Sequence, residues 1–176
     1  MSWSKELKRK ANTNNASLFK SPGKIAAISI SFLTVVIAAI ATIVIISGKS
    51  TTVVKNSDLI IQKSEITENA KFYPVEVDGT KLEVLAVKAS DNTIRTAFNT
   101  CQICYSSGRG YYVQEGSFLV CQNCGNRFSM DEVEVARGGC NPVPITADEK
   151  TETETSIIIS KDFLNIAKGI FSNWKK

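Results

Sequence analysis

Two cysteine pairs, Cys101-Gln102-Ile103-Cys104 and Cys121-Gln122-Asn123-Cys124, constrain this chain more than any other feature. A C-x-x-C turn brings two sulfurs close enough to share one ion. A second such turn completes a four-sulfur tetrahedron that suits zinc, iron or an iron–sulfur cluster. The chain between the pairs must therefore come back on itself. Gly108-Arg109-Gly110 reads as a turn, 111–114 and 118–120 as strands, and Glu115-Gly116-Ser117 as their connection, so the second pair hangs from a hairpin. Gly125 follows Cys124, where a left-handed backbone lets amide N–H groups point at sulfur. Tyr105 holds the equivalent place after Cys104, so the two turns are not alike.

The fifth cysteine, Cys140, lies in Gly138-Gly139-Cys140-Asn141-Pro142, whose glycines and proline describe a tight, irregular backbone. It reads either as a ligand or redox-active neighbour of the four-cysteine site, or as a buried free thiol. Disulfides are the rival for the paired cysteines. However, closing such short loops removes little unfolded-chain entropy, and five cysteines leave one over. A thioredoxin-like motif would need a βαβ unit, and none is readable. The chain contains no histidine, which removes Cys–His and Ser–His catalytic pairs, mixed Cys/His zinc sites and histidine-ligated haem.

From Ile25 to Ser47 no residue is charged, and Ile, Val, Ala, Phe and Leu fill most places. At about 1.5 Å per residue this stretch reaches the roughly 30 Å of a hydrocarbon core, whereas the apolar part of a signal peptide runs to only about 7–15 residues. It reads as one transmembrane helix. Lys5, Lys8, Arg9, Lys10, Lys20 and Lys24 precede it against the single acid Glu6, which places the N-terminus in the cytoplasm and the rest of the chain outside. The net charge of +4 therefore belongs to the tail. No basic stripe with interleaved aromatics follows, so no nucleic-acid partner is expected.

The expected organisation is a cytoplasmic basic tail at 1–24, a membrane helix at 25–47, a linker at 48–57 and one extracytoplasmic domain at 58–176. That domain is small and β-rich (α+β), with a ribbon-like four-cysteine site. Runs at 72–77 and 80–87 flank Asp78-Gly79, the strongest short-range hairpin signal. Tyr73, Val75 and Val77 alternate along one run and Leu82, Val84 and Ala86 along the other, giving each strand one apolar face. A further strand at 94–98 feeds the first cysteine pair. At the C-terminus, Ser160 can cap a helix whose Phe163, Ile166, Ala167, Ile170, Phe171 and Trp174 share one face. That face packs on the domain or lies on the membrane surface. Asp131, Glu132 and Glu134 read as a solvated face, and no catalytic residue is assigned.

Phe72-Tyr73-Pro74-Val75-Glu76-Val77-Asp78-Gly79, Leu85-Ala86-Val87-Lys88-Ala89-Ser90-Asp91, Arg95-Thr96-Ala97-Phe98-Asn99-Thr100-Cys101, Cys121-Gln122-Asn123-Cys124-Gly125 and Gly139-Cys140-Asn141-Pro142 together make up a pattern over residues 70–145. This pattern resembles the FtrD-like family of bacterial membrane iron–sulfur proteins. The resemblance implies a membrane-bound iron–sulfur protein linked to iron uptake or a neighbouring permease, with all five cysteines at marked positions. Larger relatives carry several spans, so a permease role does not transfer to a chain with one. The resulting expectation is an electron carrier rather than a catalyst. Cys101, Cys104, Cys121 and Cys124 would hold an iron–sulfur cluster or mononuclear iron, Cys140 would be a fifth cofactor-binding residue, and the partner would be a membrane permease or redox protein. The alternative is a structural zinc ribbon that binds a membrane transporter.

Overall fold

The computed structural model describes residues 52–176. The expected tail and membrane helix lie outside the described residues. Among the described residues, no helix is long and apolar enough to cross a membrane. In chain order the strands are β1 (Val54–Lys55), β2 (Leu59–Gln62), β3 (Lys71–Val77), β4 (Thr80–Lys88), β5 (Ile94–Cys101), β6 (Tyr112–Glu115), β7 (Phe118–Cys121), β8 (Arg127–Ser129), β9 (Pro142–Pro144), β10 (Thr151–Glu152) and β11 (Ser156–Ile159). Helix α1 (Lys161–Ala167) follows and tightens into a 3-10 turn over Lys168–Phe171.

Asp78-Gly79 makes the hairpin that its composition predicts. β3 and β4 pair antiparallel from Val77 opposite Thr80 to Lys71 opposite Ala86. The two loop residues both take positive φ, 48° at Asp78 and 78° at Gly79, as a type I′ turn requires. A Cβ added to Gly79 meets nothing within 4 Å, so Gly79→Ala incurs conformational strain alone. The expected loss is about 1–2 kcal/mol in a urea melt.

β4 pairs on its other edge with β5, β5 with β9, and β1 runs parallel to β3, giving a five-stranded sheet of order β1-β3-β4-β5-β9. β1 falls inside the segment expected as linker 48–57, so the sheet begins earlier than the sequence suggests. Two three-stranded sheets, β10-β11-β2 and β6-β7-β8, complete the strands.

Two apolar clusters account for the packing. In the first, Val75, Val77, Leu82, Val84 and Ala86 of the central sheet meet Leu59, Ile61, Ile157 and Ile159 of the β2–β11 pair, together with Leu164, Ala167, Ile170 and Phe171. In the second, Leu85, Val87, Ala97 and Cys101 meet Tyr112, Leu119, Cys121 and Phe128 of the β6-β7-β8 ribbon. The expectation of one apolar face per strand therefore fails for β4. Both parities of Leu82-Glu83-Val84-Leu85-Ala86-Val87 carry apolar residues, and alternation sends them to opposite faces, each of which is covered.

The C-terminal apolar face packs on the domain. The Ser160 hydroxyl accepts from the Phe163 N–H at 3.2 Å, the expected cap. The Phe98 ring lies 5.7 Å from those of both Phe163 and Phe171. Leu164, outside the expected stripe, is fully buried. The change to a 3-10 turn at Lys168 winds three residues per turn and shifts which side chains share the face.

The acidic residues at 131–134 are not simply solvated. Asp131 accepts from the Ser90 N–H at 2.7 Å and its hydroxyl at 3.0 Å, and Glu132 accepts from the Ser129 N–H at 3.0 Å in a capping box. Glu134 accepts from the Thr96 N–H at 2.8 Å and from Lys150 Nζ at 2.7 Å. Glu134 fastens the segment leading to Cys140 onto β5 of the central sheet, Asp131 ties it to the turn between β4 and β5, and Glu132 caps its own turn.

Candidate metal centre

The five cysteines arrive on three supports. β5 ends at Cys101, and the turn that follows directs the Cys104 N–H at Cys101 Sγ, at 3.2 Å. β7 ends at Cys121, and there the Gly125 N–H donates to Cys121 O at 2.8 Å with Gly125 at φ 73°, the left-handed position that the sequence predicts. Cys140 comes from the loop ahead of β9, where Gly138 and Gly139 take φ 80° and 84°. Pro142 pairs with Cys101, which brings that loop back to the first turn.

The five thiols converge, and all are free. The sulfurs of Cys101, Cys104, Cys121 and Cys140 all lie within 4.8 Å of one another. Cys140 Sγ is 3.3 Å from Cys101 Sγ, 3.9 Å from Cys104 Sγ and 2.8 Å from Cys124 Sγ. The mutually close quartet thus contains Cys140, read from the sequence as a ligand or neighbour of the site, together with three of the four paired cysteines; Cys124 stands outside it. Cys101 and Cys121 are buried, Cys104 and Cys140 half-buried, and Cys124 exposed. Four thiolates about 2.3 Å from one tetrahedral ion stand roughly 3.8 Å apart, so the quartet has the donor chemistry and size to hold a metal ion.

The thiols are not electrostatically equivalent. Burial pushes Cys101 up, but the Cys104 N–H, the Tyr112 hydroxyl, the Ile103 N–H and the Cys140 thiol outweigh it and leave Cys101 below the ordinary cysteine value. Donation from Cys140 and from the Asn126 N–H brings exposed Cys124 down to about 7. Burial raises Cys104 to about 11, and it raises Cys121 and Cys140 as well. These free thiols repel as thiolates, and a bound cation reverses that balance by favouring the deprotonated form of every sulfur it touches.

Around the sulfurs lies a shell that sequence reasoning missed. Asn99 is buried in β5. Its Nδ2 donates to Tyr112 O at 3.2 Å and to Glu83 at 2.6 Å, and its Oδ1 accepts from the Tyr112 N–H at 2.7 Å. It therefore ties the strand entering the first turn to the ribbon carrying the second. Gly110 O accepts from the Cys101 N–H at 2.6 Å, and Tyr111 O from the Gln122 N–H at 2.8 Å, so one segment buttresses both turns. An amide among β-formers at Asn99 and a second glycine at Gly110 were the available signals.

Gly110 has no room for a side chain, because a Cβ there would stand 2.3 Å from Cys104 O, a backbone atom. Gly110→Ala must displace the first turn, with an expected cost of about 1–3 kcal/mol in thermal unfolding. A melt unchanged from wild type would show that the turn is not so tightly supported.

A family model described as membrane iron-sulfur containing protein FtrD-like matches residues 66–171, from just ahead of β3 through the C-terminal 3-10 turn. No curated protein and no solved structure matches the chain.

Proposed function

The chain belongs to the FtrD-like family of membrane iron-sulfur containing proteins, and from that premise we propose that it is a single-pass membrane electron carrier that holds iron on its cysteine thiolates. The observation that carries this reading is the four-sulfur quartet within 4.8 Å, assembled from three separate loops. In this reading Cys101, Cys104, Cys121 and Cys140 are the ligands, and Cys124 is a fifth thiol on the solvent side. Bound iron would supply one-electron exchange, as a cluster or as a single ion. Amide N–H groups of Ile103 and Cys104 toward Cys101, and of Asn123 and Cys124 toward Cys121, stabilise negative sulfur and so set the potential. Cys124, with half-buried Cys104 and Cys140, gives the centre an edge that a partner can approach.

The apolar 25–47 segment supports a tether with the basic 1–24 tail in the cytoplasm and the 58–176 domain outside. That anchor holds the centre beside a membrane partner, a permease or redox protein of iron uptake. The quartet's spacing also admits one structural zinc, which has no redox role, and a zinc ribbon would bind a transporter through its surface instead. A reductive titration of the anaerobic protein separates the two. Visible absorption should bleach with dithionite and return on reoxidation, with electron uptake matched to the iron present. A protein that takes up no electrons is not a carrier.

A further inference from the structure

The two C-x-x-C turns are closed in different ways. The second closes on itself through Gly125, as described. The first has Tyr105 where the second has glycine. It runs into a 3-10 turn over Tyr105–Ser107 and reverses only at Gly108, φ 78°. The carbonyls that this longer path leaves outward are taken by the end of the chain. Asn173 Nδ2 donates to Ser106 O at 2.8 Å, and the Lys175 backbone N–H donates to Gly108 O at 2.8 Å. Trp174 Nε1 donates to Asn99 O at 2.8 Å, and its ring meets Tyr111 edge-on at 6.5 Å. Lys175 Nζ lies 5.1 Å from the Tyr111 ring centroid and 4.3 Å from that of Trp174. The fit is close, because a Cβ on Gly108 would stand 3.0 Å from the carbonyl oxygens of both Asn173 and Lys176.

We infer that Asn173, Trp174 and Lys175 form a C-terminal latch that positions the first C-x-x-C turn, doing from outside what Gly125 does within the second. The latch reaches the sulfurs by two short routes. Through Ser106 and Gly108 it holds the turn in which the Ser107 N–H donates to Cys104 O at 3.0 Å. Through Asn99 and Tyr111 it holds the segment that supplies Gly110 O to the Cys101 N–H at 2.6 Å. Its consequence for metal retention rests on the function proposed above, whereas its effect on the polypeptide does not.

Amide hydrogen exchange at single-residue resolution on the full-length protein, kept anaerobic in detergent, tests the latch in Trp174→Ala, Trp174→Phe and Asn173→Ala. The amides of Cys104, Ser107 and Tyr112 should exchange at least about tenfold faster in Trp174→Ala, the equivalent of about 1.4 kcal/mol of local protection. Those of Cys121 and Gly125, whose acceptors Asn126 O and Cys121 O belong to the second turn itself, should rise far less. If Trp174→Ala also opens β3 and β4, the two milder variants decide, with a smaller rise confined to the first turn. Unchanged protection at the first turn, or equal loosening of both turns, overturns the proposal. Visible circular dichroism and the rate of iron loss to a chelator give a second readout, with a changed spectrum and faster release expected in the same variants. A wild-type protein without iron defeats the proposed function, while the exchange pattern still judges the latch.

Discussion

Cys101→Ser with Cys121→Ser should strip the protein of metal, leaving less than about a tenth of the wild-type content, and loosen the ribbon with it. Both side chains are fully buried and both belong to the second apolar cluster beside Tyr112 and Leu119. Because a site of this kind does not exist in the unfolded chain, metal-binding energy is folding energy, on the order of 10–16 kcal/mol for small zinc domains. The five-stranded sheet and the first cluster limit the damage here. The expected net loss is at least about 3 kcal/mol, a fall of roughly 10 °C or more in Tm. Single variants refine the ligand set. Cys140→Ser should lose most metal because its sulfur sits inside the quartet, whereas Cys124→Ser should keep most of it because its sulfur lies on the exposed side. Undiminished iron in the double variant contradicts the assignment of these thiols.

Lys150→Ala should cost about 3–5 kcal/mol in a urea melt. The Lys150 side chain is 1% exposed, and its Nζ lies 2.7 Å from Glu134 Oε2, 3.4 Å from Glu152 Oε1 and 3.1 Å from Thr96 Oγ1. Removing it leaves the Glu134 carboxylate, at 17% side-chain exposure, without its cation and with another acid nearby. Glu134 also sits at φ 69°, a conformation costly for a glutamate and held by this ion pair and by the Thr96 N–H. The double variant Lys150→Met, Glu134→Gln should recover a large part of the loss, since both charges then leave the site together. A Lys150→Ala cost below about 1 kcal/mol would mean that the pair is effectively solvated.

Local chemistry made part of this architecture legible. Asp78-Gly79 can satisfy two consecutive positive φ values, so the β3–β4 hairpin was readable. Gly116 opens the two-residue loop between Glu115 and Phe118 at φ 61°, so the β6–β7 hairpin was readable too. Ser160 and the spacing of Phe163, Ala167 and Ile170 announced the last helix. Cysteine spacing announced a cluster, because sulfur pairs at that interval have few other uses.

What stayed hidden depends on partners distant in sequence. β2 finds β11 across the whole domain, Ile61 opposite Ile157, and nothing local to Leu59–Gln62 specifies that edge. Leu85 and Val87 are buried only because the ribbon folds back over the sheet. Cys140 was marked as a candidate ligand, but its place inside the quartet comes from the pairing of Pro142 with Cys101, a register that no motif encodes. Glu134 looks like one more surface acid until Lys150 arrives. Tyr105 was correctly marked as a departure from the second turn, but its counterpart, the Asn173–Lys175 segment, lies at the far end of the chain.

The most direct test of the account is the composition and colour of the full-length protein purified without oxygen, with iron, zinc and acid-labile sulfide measured on the same sample as its visible spectrum. The account predicts iron together with thiolate-to-iron absorption that dithionite bleaches. Sulfide in proportion to iron would identify a cluster, and its absence a single iron ion. Colourless protein carrying one zinc, or metal-free protein with its cysteines paired as disulfides, would contradict it.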